Sequence, residues 1–572
     1  MPHCLSHRLF LQQVTLRCLM IAAIPAAVHL LSIRPAEPVF CGDSNRHVMT
    51  SVFFRDLLAD GGLGSPKAYA EAYFAQYPAL GLLVWPPLFH ALCGVLMLIF
   101  GTSVVVARGL ILASLILAAV CVYRLARRAT DADAAALVTI VFLLLPLIFQ
   151  YGRDVMLEMP SLALCLVSLD QFDRWHSHGQ RRALYAAAFA AALAALTRFD
   201  AVLLLLCYLM VFLIRGRWDR LRSWHPVGAA ALAILLVAPV YAIILREMGG
   251  LHLRQAADSV GGAVGGSANG FLQLKNFWFY PAALGEQAGW PVVLLSAAGA
   301  LTVFVRRQTN PCGVFLALLT ATYLTFTPLA ELHIRHAIYW LPATAFFAVR
   351  GLNSLVLPLL LSGNSSLRRL LLPAVYAAFL TLTACGTLRE PSYRVEGYRK
   401  AAEFTLQHTR PGDAIFFDGW WDGNFTYHIR HLDPGRSRTV IRGDRLLYDF
   451  LCVPATDFRQ HVETDMDILR ALTEAAPKFV VIESPQFYQK VEIAQQLREL
   501  IRARPDLFVP QETVAVTSTM DHLPAFELRI FRFEQAAAAR WLERDESRGT
   551  ETAAPAAAPA TPKTPVATEA VP

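Results

Sequence analysis

The run VTLRCLMIAAIPAAVHLLSI (14–33) is apolar over the length a helix needs to cross a bilayer, about 20 residues. Arg8 and Arg17 flank its N-terminal side, and no Ala-x-Ala cleavage pattern follows, so it reads as an uncleaved signal anchor. Shortly after it comes Asp43, and then HVMTSVFFRDLLADG (47–61) in place of a second span. Met49, Val52, Phe53 and Leu57 fall on one helical face, with Arg55, Asp56 and Asp60 on another. That pattern predicts an interfacial helix at the membrane surface, with Asp43 at its mouth.

Working outward, apolar segments of spanning length recur as far as residue 388 and then stop. The 572 residues are 55% hydrophobic and 17% charged, with a mean hydropathy of +0.42. The expected fold is an α-helical polytopic membrane protein rather than a soluble multidomain one. The net charge of +7 does not point to nucleic acid, because the basic residues cluster in short loops between apolar runs. Placing RLARR (124–128), 173–182, 215–224, Arg306-Arg307 and Arg368-Arg369 in the cytoplasm gives about eleven spans, with the C-terminus outside. These are 14–33, 104–123, 133–150, 157–172, 183–197, 200–214, 226–245, 290–305, 312–329, 337–353 and 370–388. Residues 88–100, after Pro86-Pro87, are too short to cross and belong to a long first outer loop, 36–103, that also holds KAYAEAYFAQYP (67–78). A second outer loop, 246–289, contains GGAVGG (261–266) with Arg246, Arg254 and Lys275.

The membrane domain is thus expected over 1–389, followed by a small α/β extracytoplasmic domain over 390–544. Helical patterns at 398–409 and 491–503 alternate there with strand-like AIFFD (414–418), KFVVIES (478–484), 512–519 and FELRIFRF (526–533). It carries no phosphate-binding glycine loop. Residues 545–572, rich in Ala, Pro and Thr, are expected to be disordered. The ten cysteines form no Cys-x-x-Cys, and those inside predicted helices, such as Cys18, Cys165 and Cys207, read as buried apolar residues. Cys41 and Cys452 would face an oxidising compartment.

The topology brings Asp43, Arg153, Asp154, Glu158, Arg198, Asp200, Glu331, His333, Arg335 and His336 to one depth at the outer ends of spans, where ionisable groups are costly without a use. Arginines there suit a lipid phosphate, and a carboxylate suits proton removal from a hydroxyl. Most have a plainer reading, though Glu158, just before Met159-Pro160 at a span entrance, has little structural purpose. Asp43 could cap the following helix, Arg198 could pair with Asp200, and Arg335 could anchor a span at the interface. His333 and His336 with Glu331 match no standard metal-ligand spacing, so no metal or other cofactor is called for.

In order, these segments resemble the bacterial dolichyl-phosphate-mannose protein mannosyltransferases of glycosyltransferase family 39, and more distantly the lipid A aminoarabinose transferases. The resemblance is carried by Asp43, HVMTSVFFRDLLADG (47–61), YPALGLLVWPPLFHALCGVLMLIFG (77–101), Arg108, GRDVMLEMPSLAL (152–164), LTRFDAVLLL (196–205) and RHAIYWLPA (335–343). It implies a GT-C membrane fold and inverting transfer from a polyprenyl-phosphate sugar donor to an extracytoplasmic protein, lipid or glycan acceptor, at a bacterial plasma membrane. It further implies Asp43 as general base, Glu158 as a second catalytic acidic position and Arg335 as phosphate ligand. Arg198, Arg153, His336 and His333 are further candidates for substrate binding. Two positions depart from the family pattern: Ser44 stands where many relatives carry Glu, and Trp85 where many carry Lys. Sugar and acceptor are therefore not carried over. The rival readings are a transporter or flippase of lipid-linked sugars, which should place charge near mid-bilayer in broken helices, and a non-catalytic binder of them.

Overall fold

The computed structural model describes residues 23, 43–248, 273–329, 332–356, 358, 365–389, 394–450, 458–485, 491–519 and 525–552. The expected first span with Cys18, residue 23 apart, together with Cys41, Arg254, GGAVGG, Glu331, Cys452 and the tail beyond residue 552, lies outside the described residues.

The apolar runs fold as helices. The first outer loop holds α1 (Ser44–Ala59), α2 (Pro66–Gln76) and α3 (Leu88–Phe100). There follow α4 (Val104–Ala129), α5 (Ala132–Leu143), α6 (Pro146–Tyr151), α7 (Glu158–His178), α8 (Arg181–Ala195), α9 (Leu203–Arg215) and α10 (His225–Glu247). The membrane half ends with α11 (Asn276–Ala288), α12 (Trp290–Val305), α13 (Gly313–Phe326), α14 (Leu341–Gly351) and α15 (Ser365–Leu388). Helices α4 and α10 are each long and apolar enough to cross a membrane. Side chains start several helices: Ser103 accepts from the Val105 amide before α4, and Asp131 from the Asp133 and Ala134 amides before α5.

Four expectations are corrected. The span 133–150 is two helices, because Pro146 has no amide to continue α5 and takes the first turn of α6. Part of the outer loop 246–289 is helical, as α11. The span 337–353 opens as a 3-10 turn, Ile334–Trp340, before α14. Finally, α1 does not lie on a lipid surface. Residues on nearly all its faces are buried, including Asn45, His47, Ser51 and Asp56. Its apolar side packs on α3 so tightly that a Cβ at Gly94 would sit 2.9 Å from the Arg55 amide nitrogen.

Charged groups of α7 mark two ends about 18 Å apart along its axis. Near its C-terminal end Asp170 and Asp173, 1% and 2% exposed, bind Arg124 (2.9 Å), Arg128 (2.5 Å to Asp170) and Arg215. Arg215 also donates to the Asn310 carbonyl at 2.6 Å. The basic loops after α4, α9 and α12 thus meet at one end, as the sequence predicts. Glu158 begins the other end.

Beyond α15 the chain forms β1 (Val395–Glu396), α16 (Tyr398–Gln407), β2 (Ala414–Asp418), α17 (Asp422–Leu432), β3 (Thr439–Arg442), α18 (Gly443–Leu446), β4 (Tyr448–Phe450) and β5 (Phe458–Gln460). Then come α19 (Asp465–Ala475), β6 (Pro477–Ser484), α20 (Glu492–Ala503), β7 (Phe508–Ser518), β8 (Phe526–Phe533) and α21 (Gln535–Thr552), which carries helix past the expected boundary at 545. The main sheet runs β1-β7-β8-β6-β2-β3, with β2 parallel to β3 and β6 and the other pairs antiparallel. Alternation decides its two faces. Phe416, Val480 and Ile482 pack with α19 and α20, whereas Ile415, Phe417 and Val481 join an apolar core continuous with the membrane helices.

Candidate active site

Asp43 immediately precedes α1, but its carboxylate makes no capping hydrogen bond. It faces Arg335, whose Nη1 donates to Asp43 Oδ2 at 3.3 Å. The plain capping reading of Asp43 is thereby set aside. Arg335 Nε lies 3.7 Å from Glu158 Oε1, and the same oxygen accepts from Arg198 Nη1 at 2.5 Å. Arg198 also grips Asp200 Oδ2 through Nε (3.0 Å) and Nη2 (2.5 Å). Asp43, Arg335, Glu158, Arg198 and Asp200 therefore form one alternating chain of charge drawn from four parts of the sequence.

Local structure explains the convergence. The 3-10 turn 334–340 places Arg335, and His333 caps it by accepting from the Arg335 amide at 3.2 Å. Glu158 opens α7. Arg198 sits in the tight link between α8 and α9, which is tied to the start of α3 by a bond from the Leu88 amide to the Leu196 carbonyl, 3.0 Å. The chain is graded in access. The Asp43 and Arg335 side chains are 34% and 26% exposed, Arg198 is 11% and Glu158 is 1%. The Asp43–Arg335 end is the most open, and Asp200 at the other end is 20% exposed.

Among the other sequence candidates, His336 lies close enough to Asp200, Arg198 and Arg335 to feel their charge. Arg153 lays its guanidinium over the Phe149 ring, 3.8 Å from the centroid. His336 stacks on Phe326, with centroids 5.5 Å apart. Among the described residues no group of three or more His, Cys, Asp or Glu is arranged to hold a metal ion.

Sequence reasoning missed a buried imidazole pair beneath the cluster. His47 Nδ1 and His90 Nε2 are 3.0 Å apart, and the Trp85 ring meets His47 edge-on at 4.4 Å. Burial pushes His47 well below the ordinary imidazole value, and His90, Arg198 and Arg335 push it the same way. The signal was present: His47 lies one helical turn after Asp43, on the same face, and its amide donates to the Asp43 carbonyl at 3.0 Å. Tyr339 and Ser161, whose hydroxyls are 2.9 Å apart, join the 3-10 turn to α7 and were also missed.

The site lies within a recognisable frame. Residues 84–243 match the sequence profile of the family described as dolichyl-phosphate-mannose-protein mannosyltransferase. That stretch includes Glu158 and Arg198 and leaves Asp43 and Arg335 outside. In fold the chain is similar to ArnT from Cupriavidus metallidurans, solved bound to undecaprenyl phosphate. The TM-score is 0.60 at 14% identity, covering 90% of this chain and 97% of that one. It is also similar to the oligosaccharyltransferase AglB from Archaeoglobus fulgidus, solved with an inhibitory peptide and a dolichol-phosphate. There the TM-score is 0.51 at 14% identity, covering 91% of this chain and 77% of that one. No curated protein matches it in sequence. The chain thus shares the fold of ArnT and AglB, and its residues 84–243 resemble the dolichyl-phosphate-mannose-protein mannosyltransferase family.

Proposed function

We propose that the protein transfers a sugar from a polyprenyl-phosphate donor to a hydroxyl acceptor, with inversion, at the outer face of a bacterial plasma membrane. The observation that carries this reading is the half-open Asp43–Arg335 pair, a carboxylate and a guanidinium side by side at the outer ends of helices. The basic loops gather at the opposite end of α7, which by the positive-inside rule directs the site away from the cytoplasm. A lipid-linked donor fits that side, as do the lipid phosphates bound by the two solved relatives.

Asp43 takes the acceptor hydroxyl proton as the oxygen attacks the anomeric carbon. The bond from that carbon to the phosphate oxygen breaks, and its electron pair leaves with the polyprenyl phosphate. Arg335 stabilises the charge gathering on the departing phosphate through its planar donors. Glu158 is too buried to meet an acceptor. We assign it instead to holding Arg335 and Arg198 in place, with Asp200 neutralising the far side of Arg198. Arg153, His333 and His336 receive no direct role in this scheme, which needs no metal.

The test is a panel of polyprenyl-phosphate sugars offered to the reconstituted protein with membrane extract as acceptor source. Release of polyprenyl phosphate from one donor, with an inverted anomer in the product, is expected. No release from any donor would favour a carrier or binder of lipid-linked sugars.

A further inference from the structure

Helix α17 belongs to the C-terminal domain, yet its polar groups are turned to the membrane half. Asn45 Nδ2 donates to Asn424 Oδ1 at 3.2 Å, with the two residues 4% and 1% exposed. Arg46 Nη2 reaches Asp422 Oδ1 at 3.3 Å, and Arg442 Nη1 lies 2.9 Å from Asp422 Oδ2. Gly423 approaches so closely that an added Cβ would lie 2.6 Å from Asn45 Oδ1. Farther along α1, Arg430 holds the fully buried Asp56 by Nε (2.9 Å) and Nη2 (2.7 Å), and Tyr73 donates to the same carboxylate at 2.7 Å. Tyr427 donates to the Thr102 carbonyl at 3.0 Å.

The contacts nearest Asp43 are those of Asn45 and Arg46 in the first turn of α1. Asp43 has no capping bond to fix its own side chain. Besides its bond to Arg335, its position depends on where α1 begins, and Asn45 and Arg46 hold that first turn. Apolar contact would suffice to dock a passive domain, whereas buried polar pairs fix one geometry at a desolvation cost. A reacting group displaced by about 1 Å loses on the order of 100-fold in rate.

We infer that Asn424 and Asp422 position the Asp43 carboxylate, making the C-terminal domain a working part of the active site. This rests on reading Asp43 as the general base. Steady-state release of polyprenyl phosphate would be compared for wild type, Asn424→Ala, Asp422→Asn, Asp422→Glu, Arg436→Ala and Asp43→Asn. Arg436 is the control: it ties the domain to Asp60 at the far end of α1 (Nη2 to Oδ1, 2.7 Å). The expected result is a kcat about tenfold or more lower in Asn424→Ala and Asp422→Asn at unchanged donor KM. Partial recovery is expected in Asp422→Glu and no loss in Arg436→Ala. Unchanged kcat in both, or an equal fall in Arg436→Ala, overturns the inference. If Asn424→Ala does not fold, Asn45→Ala removes the same bond from the other side; failure of both assigns the contact to stability and overturns the inference. Inactive Asp43→Asn beside fully active Asn424→Ala and Asp422→Asn rejects the positioning role and leaves the base in place. Active Asp43→Asn rejects the base, and the positioning role with it.

Discussion

Two acidic residues, one just before α1 and one in its last turn, show how little a side chain's type decides alone. Asp43 is a third exposed and shares Arg335, whereas Asp56 is fully buried and held by Arg430, Tyr73 and Arg55. In the sequence they look alike. The depth argument brought Asp43, Glu158, Arg198 and Arg335 together correctly because charge near lipid needs a partner or a use. Depth alone does not say which way a side chain turns: Arg153 lies over the Phe149 ring and His336 stacks on Phe326. His428 was not anticipated. It is 2% exposed, and neither ring nitrogen finds a hydrogen-bond partner among the described residues. Burial pushes it down to about 3. Between about pH 3 and 6.5 the unfolded chain therefore binds a proton that the folded chain refuses, so stability falls as pH drops through that window and is level above it. His428→Leu should flatten the fall by up to about 1.4 kcal/mol per pH unit. Thermal midpoints of the solubilised protein from pH 7 to 5 read this directly, and an unchanged slope would contradict it.

At the scale of elements, periodicity served wherever one face is buried and the other is not. FELRIFRF (526–533) alternates in sequence and in burial. It failed where both faces are covered. Helix α17, DGNFTYHIRHL, is buried through Asp422 to Arg430, so its apolar and polar residues show no one-sided pattern. For the same reason α1 was placed on a lipid surface when it lies between α3 and α17. Glycines also set contacts invisible to periodicity. A Cβ at Gly351 would fall 2.1 Å from the Leu295 carbonyl oxygen, and one at Gly299 1.9 Å from that of Phe347, so α12 and α14 touch backbone to backbone. Gly351→Leu must part them. A loss of about 3 kcal/mol or more is expected, read as a large drop in thermal midpoint. A midpoint within a degree of wild type would show that the crossing is not tight.

For the whole molecule, the sequence showed where apolar runs end and a mixed domain begins, and it placed the basic loops at one end. It did not show that the C-terminal sheet shares a core with the membrane helices, because that contact joins segments hundreds of residues apart, as in Asn45–Asn424 and Asp56–Arg430. The resulting molecule has one buried ionic end, around Asp170 and Asp173, and one partly open end beneath the C-terminal domain. We propose that chemistry occurs at the open end, with Asp43 as base. Single-turnover release of labelled polyprenyl phosphate by reconstituted wild type and Asp43→Asn tests it most directly. Release by wild type is expected, with a loss of at least about 100-fold in a folded, donor-binding Asp43→Asn protein. Release at the wild-type rate by Asp43→Asn would contradict it.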